Sequence, residues 1–411
     1  MLTTPRSNRL HIGFFGKRNA GKSSIVNSLT NQHISLVSDT PGTTTDPVIK
    51  SMELLPIGPI AVIDTAGLDD EGSLGKLRIK KSIEIMDRTD LAVLVFNAEL
   101  LKNNENFDFE KKWFNELSRK NTPMVAVLNK IDTIKDNTKL LDKLCTDIKN
   151  EFHIPVVKMS AMNKLDICSL KDALIKASPS DFEKDALVGD IIKKKDLVLL
   201  VAPQDIQAPK GRLILPEAQT IRDLLDNNAM VLSVTISELE DALACLKDKP
   251  ALVITDSQVF KTVNSIVPKD VPLTSFSILM ARYKGDLKTL VDGAKALDTL
   301  EDGDKVLIAE ACTHHPLKGD IAREKIPRWI REKYKKDIEF TNITGVDFPG
   351  NLSEYKVIIQ CGSCMFTRKQ LMSRIIKAEA NTVPITNFGV AIAHLNGILP
   401  RVIEMFPKLN D

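Results

Sequence analysis

Eight residues near the N-terminus have the types and the spacing of a loop that binds phosphate groups. Gly16 to Ser23 read Gly-Lys-Arg-Asn-Ala-Gly-Lys-Ser, directly after an apolar run at 10–15 and directly before a helical pattern. In such a loop the glycines let backbone N–H groups wrap the phosphates, Lys22 brings positive charge to the β- and γ-phosphates, and the Ser23 hydroxyl holds Mg²⁺. The predicted nucleotide-binding residues here are Gly16, Asn19, Ala20, Gly21, Lys22, Ser23 and Ser24.

Three further motifs follow this loop in the order that a guanine-nucleotide site requires. They are Asp64-Thr65-Ala66-Gly67, Asn129-Lys130-Ile131-Asp132 and Ser160-Ala161. We expect Asp64 to order the Mg²⁺ shell through water and Gly67 to let the backbone approach the γ-phosphate. The Asp132 carboxylate selects guanine because it accepts hydrogen bonds from N1–H and the exocyclic amine, a donor pair that adenine lacks. The set predicts a GTP/GDP site in which Asn129, Lys130, Asp132, Ser160 and Ala161 surround the base.

With these motifs the N-terminal segment resembles the translation-factor-related GTPases. Asn19 and the run Gly42-Thr43-Thr44-Thr45-Asp46 are similar to the tRNA-modification and ribosome-assembly branch, in which an asparagine at this loop position marks potassium dependence. The resemblance implies that Thr44, or as second choice Thr43, binds Mg²⁺. Leu68 stands where many small GTPases have a water-orienting glutamine, so slow intrinsic hydrolysis is expected. We therefore predict potassium-stimulated hydrolysis of GTP that depends on Lys22, Thr44 and Gly67.

Three cysteines in the C-terminal third form a second candidate site. Cys312-Thr313-His314 is followed, after 46 intervening residues, by Cys361-Gly362-Ser363-Cys364, and thiolates grouped in this way bind iron–sulfur clusters or zinc. The runs at 306–309 and 356–360 are predicted strands, and if both belong to one parallel sheet, all three cysteines meet at its carboxyl edge. Three unrelated buried cysteines are the alternative. Cys145, Cys168 and Cys245 are predicted to be small buried apolar residues.

The order of a GTPase segment, a small middle segment and this cysteine pattern resembles the HydF family, the GTPases of FeFe-hydrogenase maturation. The resemblance implies a 4Fe-4S cluster held by Cys312, Cys361 and Cys364, and a scaffold that carries a two-iron precursor to the apo-hydrogenase, with the radical-SAM maturases as further partners. Gln360 stands where many family members have histidine, which leaves the fourth cluster ligand open. His314 is the first candidate for that ligand and is weighed evenly against a role as a hydrogen-bonding neighbour. Weaker candidates are Glu310, His315 and Asp347, and His394 is predicted to be a core histidine.

Apolar runs alternate with amphipathic stretches along most of the chain, which predicts parallel α/β structure. A polar stretch at 178–195 indicates a linker. We therefore predict an N-terminal P-loop GTPase domain at 1–178, a small βαβαβ domain at 190–262 and an α/β cluster-binding domain at 263–411. Because a small βαβαβ unit has exposed sheet edges, the middle domain is expected to form a homodimer.

Composition narrows the choice of partners. The net charge of +2 and the lack of KH-like or aromatic RNA-stacking motifs argue against nucleic acid. No apolar run approaches the ~20 residues of a membrane helix, and the N-terminus has no signal-like apolar segment, so a cytoplasmic protein without membrane contact is expected. The alternative is an RNA-related GTPase of the tRNA-modification or ribosome-assembly branch, whose cysteines hold zinc. A redox or zinc-stabilised C-terminal domain with no carrier role is a further alternative.

Overall fold

The computed structural model describes residues 6–30, 48–65, 83–102, 106–134, 137–179, 186–202, 213–311 and 320–406. The chain divides into two compact units, Met1–Lys184 and Asp185–Asp411. Both units are α/β, with a mainly parallel sheet in the first unit and parallel sheets in the second, which confirms the predicted fold class. Several predicted site residues lie outside the described residues: Thr43, Thr44, Gly67, Cys312, His314 and His315.

The first unit contains one sheet of six strands, which follow one another in the spatial order β2-β3-β1-β4-β5-β6. The strands are β1 Leu10–Phe15, β2 Val48–Leu54, β3 Gly58–Asp64, β4 Leu91–Asn97, β5 Met124–Asn129 and β6 Val156–Lys158. The helices are Lys22–Thr30, Ala98–Lys102, Asp108–Arg119, Thr138–Phe152 and Ile167–Ala177, with short turns at Arg6–Asn8 and Ile131–Ile134.

Burial explains why the central strands were recognisable in the sequence. Strands β1, β4 and β5 are buried at every position, because helices cover both faces of a parallel sheet and leave no room for polar alternation. The edge strand β2 is different: it pairs antiparallel with β3 and alternates between buried and exposed residues. It was not predicted, since its mixed pattern gives no continuous apolar run.

The second unit contains two parallel four-stranded sheets, in the orders β10-β9-β7-β8 and β12-β11-β13-β14. The first has β7 Leu197–Val201, β8 Met230–Val234, β9 Leu252–Thr255 and β10 Leu273–Ser275; the second has β11 Lys305–Ala309, β12 Glu339–Ile343, β13 Val357–Gln360 and β14 Ile385–Asn387. The helices are Leu215–Asp226, Leu239–Cys245, Phe260–Ile266, Phe276–Lys284, Leu287–Lys295, Ile326–Tyr334, Arg368–Ala380, Phe388–Leu395 and Leu399–Ile403. Shorter helical turns are Ser257–Val259, Ala296–Thr299 and Ile321–Lys325.

The two sheets of this unit share one hydrophobic core, which contains residues from both of them. Side chains also join each sheet to a helix: Thr274 Oγ1 of β10 donates to the carbonyl oxygen of Val402 over 2.9 Å, and Asn387 Nδ2 of β14 donates to that of Ser277 over 3.2 Å. The predicted boundary at residue 262 falls inside the helix Phe260–Ile266, before β10 completes the first sheet. A boundary placed from apolar runs alone missed this three-residue strand.

The prediction for the isolated cysteines was wrong in two of three cases. Cys168 and Cys245 are exposed, and Cys145 is partly buried. All three lie on helices, in which successive side chains point in different directions around the helix axis. Apolar neighbours in the sequence therefore do not imply that a residue on a helix is buried. None of the described helices combines the length and the apolar character that crossing a membrane requires.

Gly293 provides a test of the packing in the second unit. A Cβ atom placed there would lie 1.9 Å from the carbonyl oxygen of Ile385 in β14, so Gly293→Ala must push the helix Leu287–Lys295 away from the sheet. We expect it to lower the free energy of unfolding by about 1–3 kcal/mol, measured by urea denaturation. Gly350→Ala is the control, because a Cβ there meets nothing within 4 Å; equal stability of the two variants would contradict this packing.

Candidate functional site

The phosphate loop connects β1 to the helix Lys22–Thr30 and encloses a buried lysine. Lys22 Nζ donates to the carbonyl oxygens of Gly16 over 2.8 Å and of Lys17 over 2.9 Å, and the side chain is 6% exposed. The main chain of the loop therefore holds the ammonium group in place before any ligand arrives. A phosphate bound by the loop meets a fixed positive charge.

Gly21 is required by both conformation and space. Its φ is +89°, and a Cβ there would lie 2.2 Å from Asn129 Nδ2. That close approach lets Asn129 Nδ2 donate to the carbonyl oxygen of Ala20 over 2.9 Å, while Asn129 Oδ1 accepts from the backbone N–H of Ala161 over 3.1 Å. Asn129 thus joins three of the predicted nucleotide motifs, which brings them to one edge of the sheet.

The predicted base-reading residues also lie together. Ser160 Oγ donates to Asp132 Oδ1 and accepts from the backbone N–H of Asn163 over 3.3 Å. Ser28 Oγ donates to the carbonyl oxygen of Ala161 over 2.9 Å, which ties the helix after the phosphate loop to the same corner. Asp132 is partly buried and is oriented by Ser160, so its carboxylate is placed to accept hydrogen bonds from a base.

Asp64, at the end of β3, has the properties of a residue that serves a cation. It is 8% exposed, and its buried Oδ1 atom has no hydrogen-bond partner among the residues that the structure describes. Burial raises the pKa of Asp64, against the opposing effects of the Ser23 hydrogen bond and the charges of Lys22 and Lys50. A buried carboxylate oxygen without a donor is costly, and Mg²⁺ held by Ser23 would supply the missing partner. The residues present therefore fit the metal.

Two residues that support this site were not selected from the sequence. Asn97, at the end of β4, donates through Nδ2 to the carbonyl oxygen of Asn19 over 3.4 Å. Lys50 in β2 is buried and donates to Asn27; burial lowers the pKa of Lys50, and the charge of Asp64 opposes this. Asn97 had a detectable signal, since it is a polar residue that ends an otherwise apolar strand. Lys50 had none, because it lies in the unpredicted strand β2.

The cysteine loop follows β13, which pairs in parallel with β11 so that Gln360 lies opposite Ala309. The backbone N–H of Cys361 extends this pairing by donating to Ala309 over 2.9 Å. The backbone N–H of Ala311 donates to Cys361 Sγ over 3.1 Å. The strands that precede Cys312 and Cys361 therefore belong to one parallel sheet, as the convergence of the cysteines requires.

Gln360 braces this loop. It is fully buried, and its Nε2 donates to Ser363 Oγ over 2.8 Å, while Ser363 Oγ donates to the carbonyl oxygen of Cys361 over 3.1 Å. Ser363 has a φ of +52°, a left-handed conformation that turns the chain between the two cysteines. Gln360 thus acts on the shape of the loop.

Cys361 and Cys364 have suitable chemistry for part of an iron–sulfur site. Burial raises the pKa of Cys361, and the backbone N–H groups of Ala311 and Ser363 oppose this by favouring the thiolate. Such N–H donors to sulfur are typical surroundings of cluster ligands. Among the described residues, no group of three or more histidine, cysteine or acidic side chains is placed to hold a metal ion. The two thiols fit as two ligands of a larger set.

The other candidate ligands have different surroundings. Glu310 follows β11 directly and is 4% exposed. The carbonyl oxygen of Asp347 accepts from Arg374 Nη2 over 3.4 Å. His394 Nε2 lies 2.9 Å from Asp298 Oδ1, an atom that also accepts from the Tyr334 hydroxyl over 2.7 Å. His394 is therefore a partly buried, hydrogen-bonded histidine.

The fold and the site of the first unit define a P-loop GTPase domain, which binds GTP and GDP with Mg²⁺. Family comparisons agree: residues 11–130 match the profile described as 50S ribosome-binding GTPase. Residues 187–285 match that of the hydrogen maturase F dimerization domain, and residues 288–405 match that of the hydrogen maturase F tetramerization domain. The chain belongs to the HydF-type hydrogenase maturase GTPases.

Individual relatives resemble the GTPase part. The chain is 28% identical to GTPase Der of Mycoplasmopsis agalactiae over 47% of this chain and 45% of that protein. It is 32% identical to tRNA modification GTPase MnmE of a Thermoanaerobacter species over 40% of this chain and 34% of that protein. The chain thus spans less than half the length of these relatives. The crystal structure of Aquifex aeolicus Era bound to GDP and AlF4⁻ matches 62% of this chain and 97% of its own, with 17% identity and a TM-score of 0.37.

Proposed function

We propose that this protein is a GTP-hydrolysing scaffold that binds a 4Fe-4S cluster through Cys312, Cys361 and Cys364 and delivers a diiron precursor to apo-FeFe-hydrogenase. The observation that carries the proposal is the hydrogen bond from Ala311, the neighbour of Cys312 in sequence, to Cys361 Sγ over 3.1 Å. It joins the two cysteine segments at the carboxyl edge of one parallel sheet, where ligands bind in open α/β sheets. The radical-SAM maturases are the proposed partners that supply the precursor.

In GTP hydrolysis the chain acts mainly by positioning charge. Lys22 and the loop N–H groups offset the negative charge that develops on the phosphates, and Ser23 with Thr44 would hold Mg²⁺. Gly67 would let the backbone approach the γ-phosphate. Leu68 has no polar group that could orient the attacking water. Attack by water therefore depends on the positive charges of Lys22 and Mg²⁺ and on the loop N–H groups.

Asn19 is the residue that would bind a potassium ion beside the phosphate groups. It has a φ of +58° and an exposed side chain, while its main chain is held by Asn97. An amide oxygen presented by a fixed loop is a suitable ligand for a monovalent cation beside the β- and γ-phosphates.

The rate of GTP hydrolysis in potassium and in sodium chloride, at equal ionic strength, tests this role. We expect the wild type to be at least several-fold faster in potassium. Asn19→Gly removes the amide without straining the left-handed backbone, and it should make the two rates equal. A wild type with equal rates, or an Asn19→Gly variant that keeps the preference, would contradict the assignment.

Cluster binding is tested by anaerobic reconstitution with iron and sulfide. We expect a brown protein with broad absorption near ~400 nm, lost in Cys361→Ser. Cys168→Ser is the matched control, because Cys168 is an exposed cysteine of the first unit. A colourless protein that retains zinc would instead support the RNA-related GTPase, the branch that the tRNA modification relative represents. If the cluster forms, activation of apo-hydrogenase by the loaded protein tests delivery.

We further propose that β8 forms the dimer contact of the middle domain. Of the two edge strands, β10 is buried and is contacted by Val402 through Thr274. Strand β8 has no fully buried residue, Met230 is 53% exposed, and within the described residues the strand pairs with β7 alone. An exposed apolar edge favours pairing with a second copy of the chain, in agreement with the dimerization profile over 187–285.

Ser233→Pro tests this contact. Met230 N–H donates toward β7, to Asp196; because N–H directions alternate along a strand, Ser233 N–H points away from the sheet. Proline there removes an outward donor and leaves the pairing with β7 intact. We expect light scattering to show half the wild-type oligomer mass for Ser233→Pro and an unchanged mass for Ser233→Ala. Wild-type mass for both variants, or a monomeric wild type, would overturn the proposal.

A further inference from the structure

Lys284 is a buried cation whose ammonium group binds the cysteine loop. It is the last residue of the helix Phe276–Lys284 and is 2% exposed. Its Nζ donates to the carbonyl oxygens of Cys364 over 2.9 Å, of Phe366 over 2.8 Å and, more weakly, of Ser363 over 3.5 Å. An ammonium group has three donors, and all three are directed at one short turn of the chain.

Burying the ammonium group of a lysine at this position costs free energy unless its positive charge is compensated. Three neutral carbonyl groups replace water as hydrogen-bond partners, but they do not neutralise the charge. An anion close to the loop would do so.

Arg374, on the helix Arg368–Ala380, is a second buried cation at the same loop. It is 3% exposed, and its guanidinium lies over the rings of Phe366 at 4.5 Å and Phe348 at 4.9 Å. Its Nη2 donates to the carbonyl oxygen of Gly345 over 2.6 Å, whereas the buried Nη1 has no hydrogen-bond partner within the described part of the chain. Burial lowers the pKa of Arg374 to about 10, and Cys361 opposes the shift. The unsatisfied donor points to a missing acceptor in this region.

We propose that Lys284 is a positioning residue that holds the cysteine loop in its ligating shape, and that Lys284 and Arg374 together offset the negative charge of the bound cluster. This inference rests on the proposed cluster-binding function. A cluster held by cysteine thiolates is anionic, and its reduction adds a further negative charge. Two fixed cations in a poorly solvated site stabilise the reduced state more than the oxidised state, and so raise the reduction potential.

Lys284 also links the loop to the helix that follows β10, a strand of the other sheet. It lies in the segment that matches the dimerization profile, 187–285, whereas the cysteine loop lies in the segment 288–405. The carbonyl oxygen of the adjacent Tyr283 accepts from Arg368 Nη1 over 2.9 Å, next to the start of the helix that follows the loop. The position of the cysteine loop therefore depends on a residue outside the cluster-binding segment.

The reduction potential of the reconstituted full-length protein, followed by electron paramagnetic resonance, tests the charge effect. Lys284→Met and Arg374→Met should each disfavour reduction by about tenfold, which corresponds to ~59 mV more negative for one electron. Arg374→Lys keeps the charge and should shift the potential much less. Lys295→Met is the control, because Lys295 is exposed and paired with Asp292, and it should leave the potential unchanged.

Hydrogen exchange of the cluster-free protein tests the positioning effect separately. Lys284→Gln should accelerate exchange of the amides at 363–367 relative to wild type and Lys295→Met, since it cannot satisfy all three carbonyl groups. If Lys284→Met does not fold, the reduction potential is measured on Lys284→Gln instead.

The outcomes separate the two proposals. A wild type that binds no cluster overturns the proposed function, whatever the exchange result. If the wild type binds a cluster but Lys284→Met and Arg374→Met have the same reduction potential as the wild type, the charge role is overturned. If the amides of Lys284→Gln exchange as slowly as those of the wild type, the positioning role is overturned.

Discussion

Parallel pairing of strands is the constraint on which both sites depend. In a parallel sheet the carboxyl ends of all strands lie on one edge, so residues that are distant in sequence are brought together there. In the first unit this edge gathers the phosphate loop after β1, Asn97 after β4 and Asn129 at the end of β5. In the second unit it gathers Ala311 after β11 and Cys361 after β13, joined by an N–H to sulfur hydrogen bond.

The two sites use the same physical device, a buried lysine held by main-chain carbonyl groups. Lys22 is held by Gly16 and Lys17, and Lys284 is held by the turn around Cys364. In each case main-chain carbonyl groups orient the ammonium group. Lys22 belongs to a motif that is visible in sequence, because its loop is local. Lys284 lies about eighty residues from the loop that it binds, so no local pattern identifies it.

The shared core of the second unit affects how its parts are understood. The match to the dimerization profile ends at residue 285, and the match to the tetramerization profile begins at residue 288. The sheets on the two sides of this boundary nevertheless contribute to one hydrophobic core. The close contact of Gly293 with Ile385 and the hydrogen bond of Thr274 to Val402 add to this packing. A mutation in one profile segment can therefore alter the other through packing alone, so each functional variant needs a structural control.

The sequence alone determined the α/β class, the central buried strands and the identity of the nucleotide motifs, because these depend on local patterns: continuous apolar runs, and glycine and polar residues directly after them. The burial of Cys168 and Cys245 was predicted wrongly, and β2, β10, Asn97, Lys50, Lys284 and Arg374 were missed. Tertiary structure decides these features, because whether a helix face is covered, a mixed strand pairs or a cation is enclosed depends on elements that are far away in the chain. Gln360 shows the difference most simply: its sequence position marks a missing histidine, and only the fold reveals that its amide braces the turn between the two cysteines.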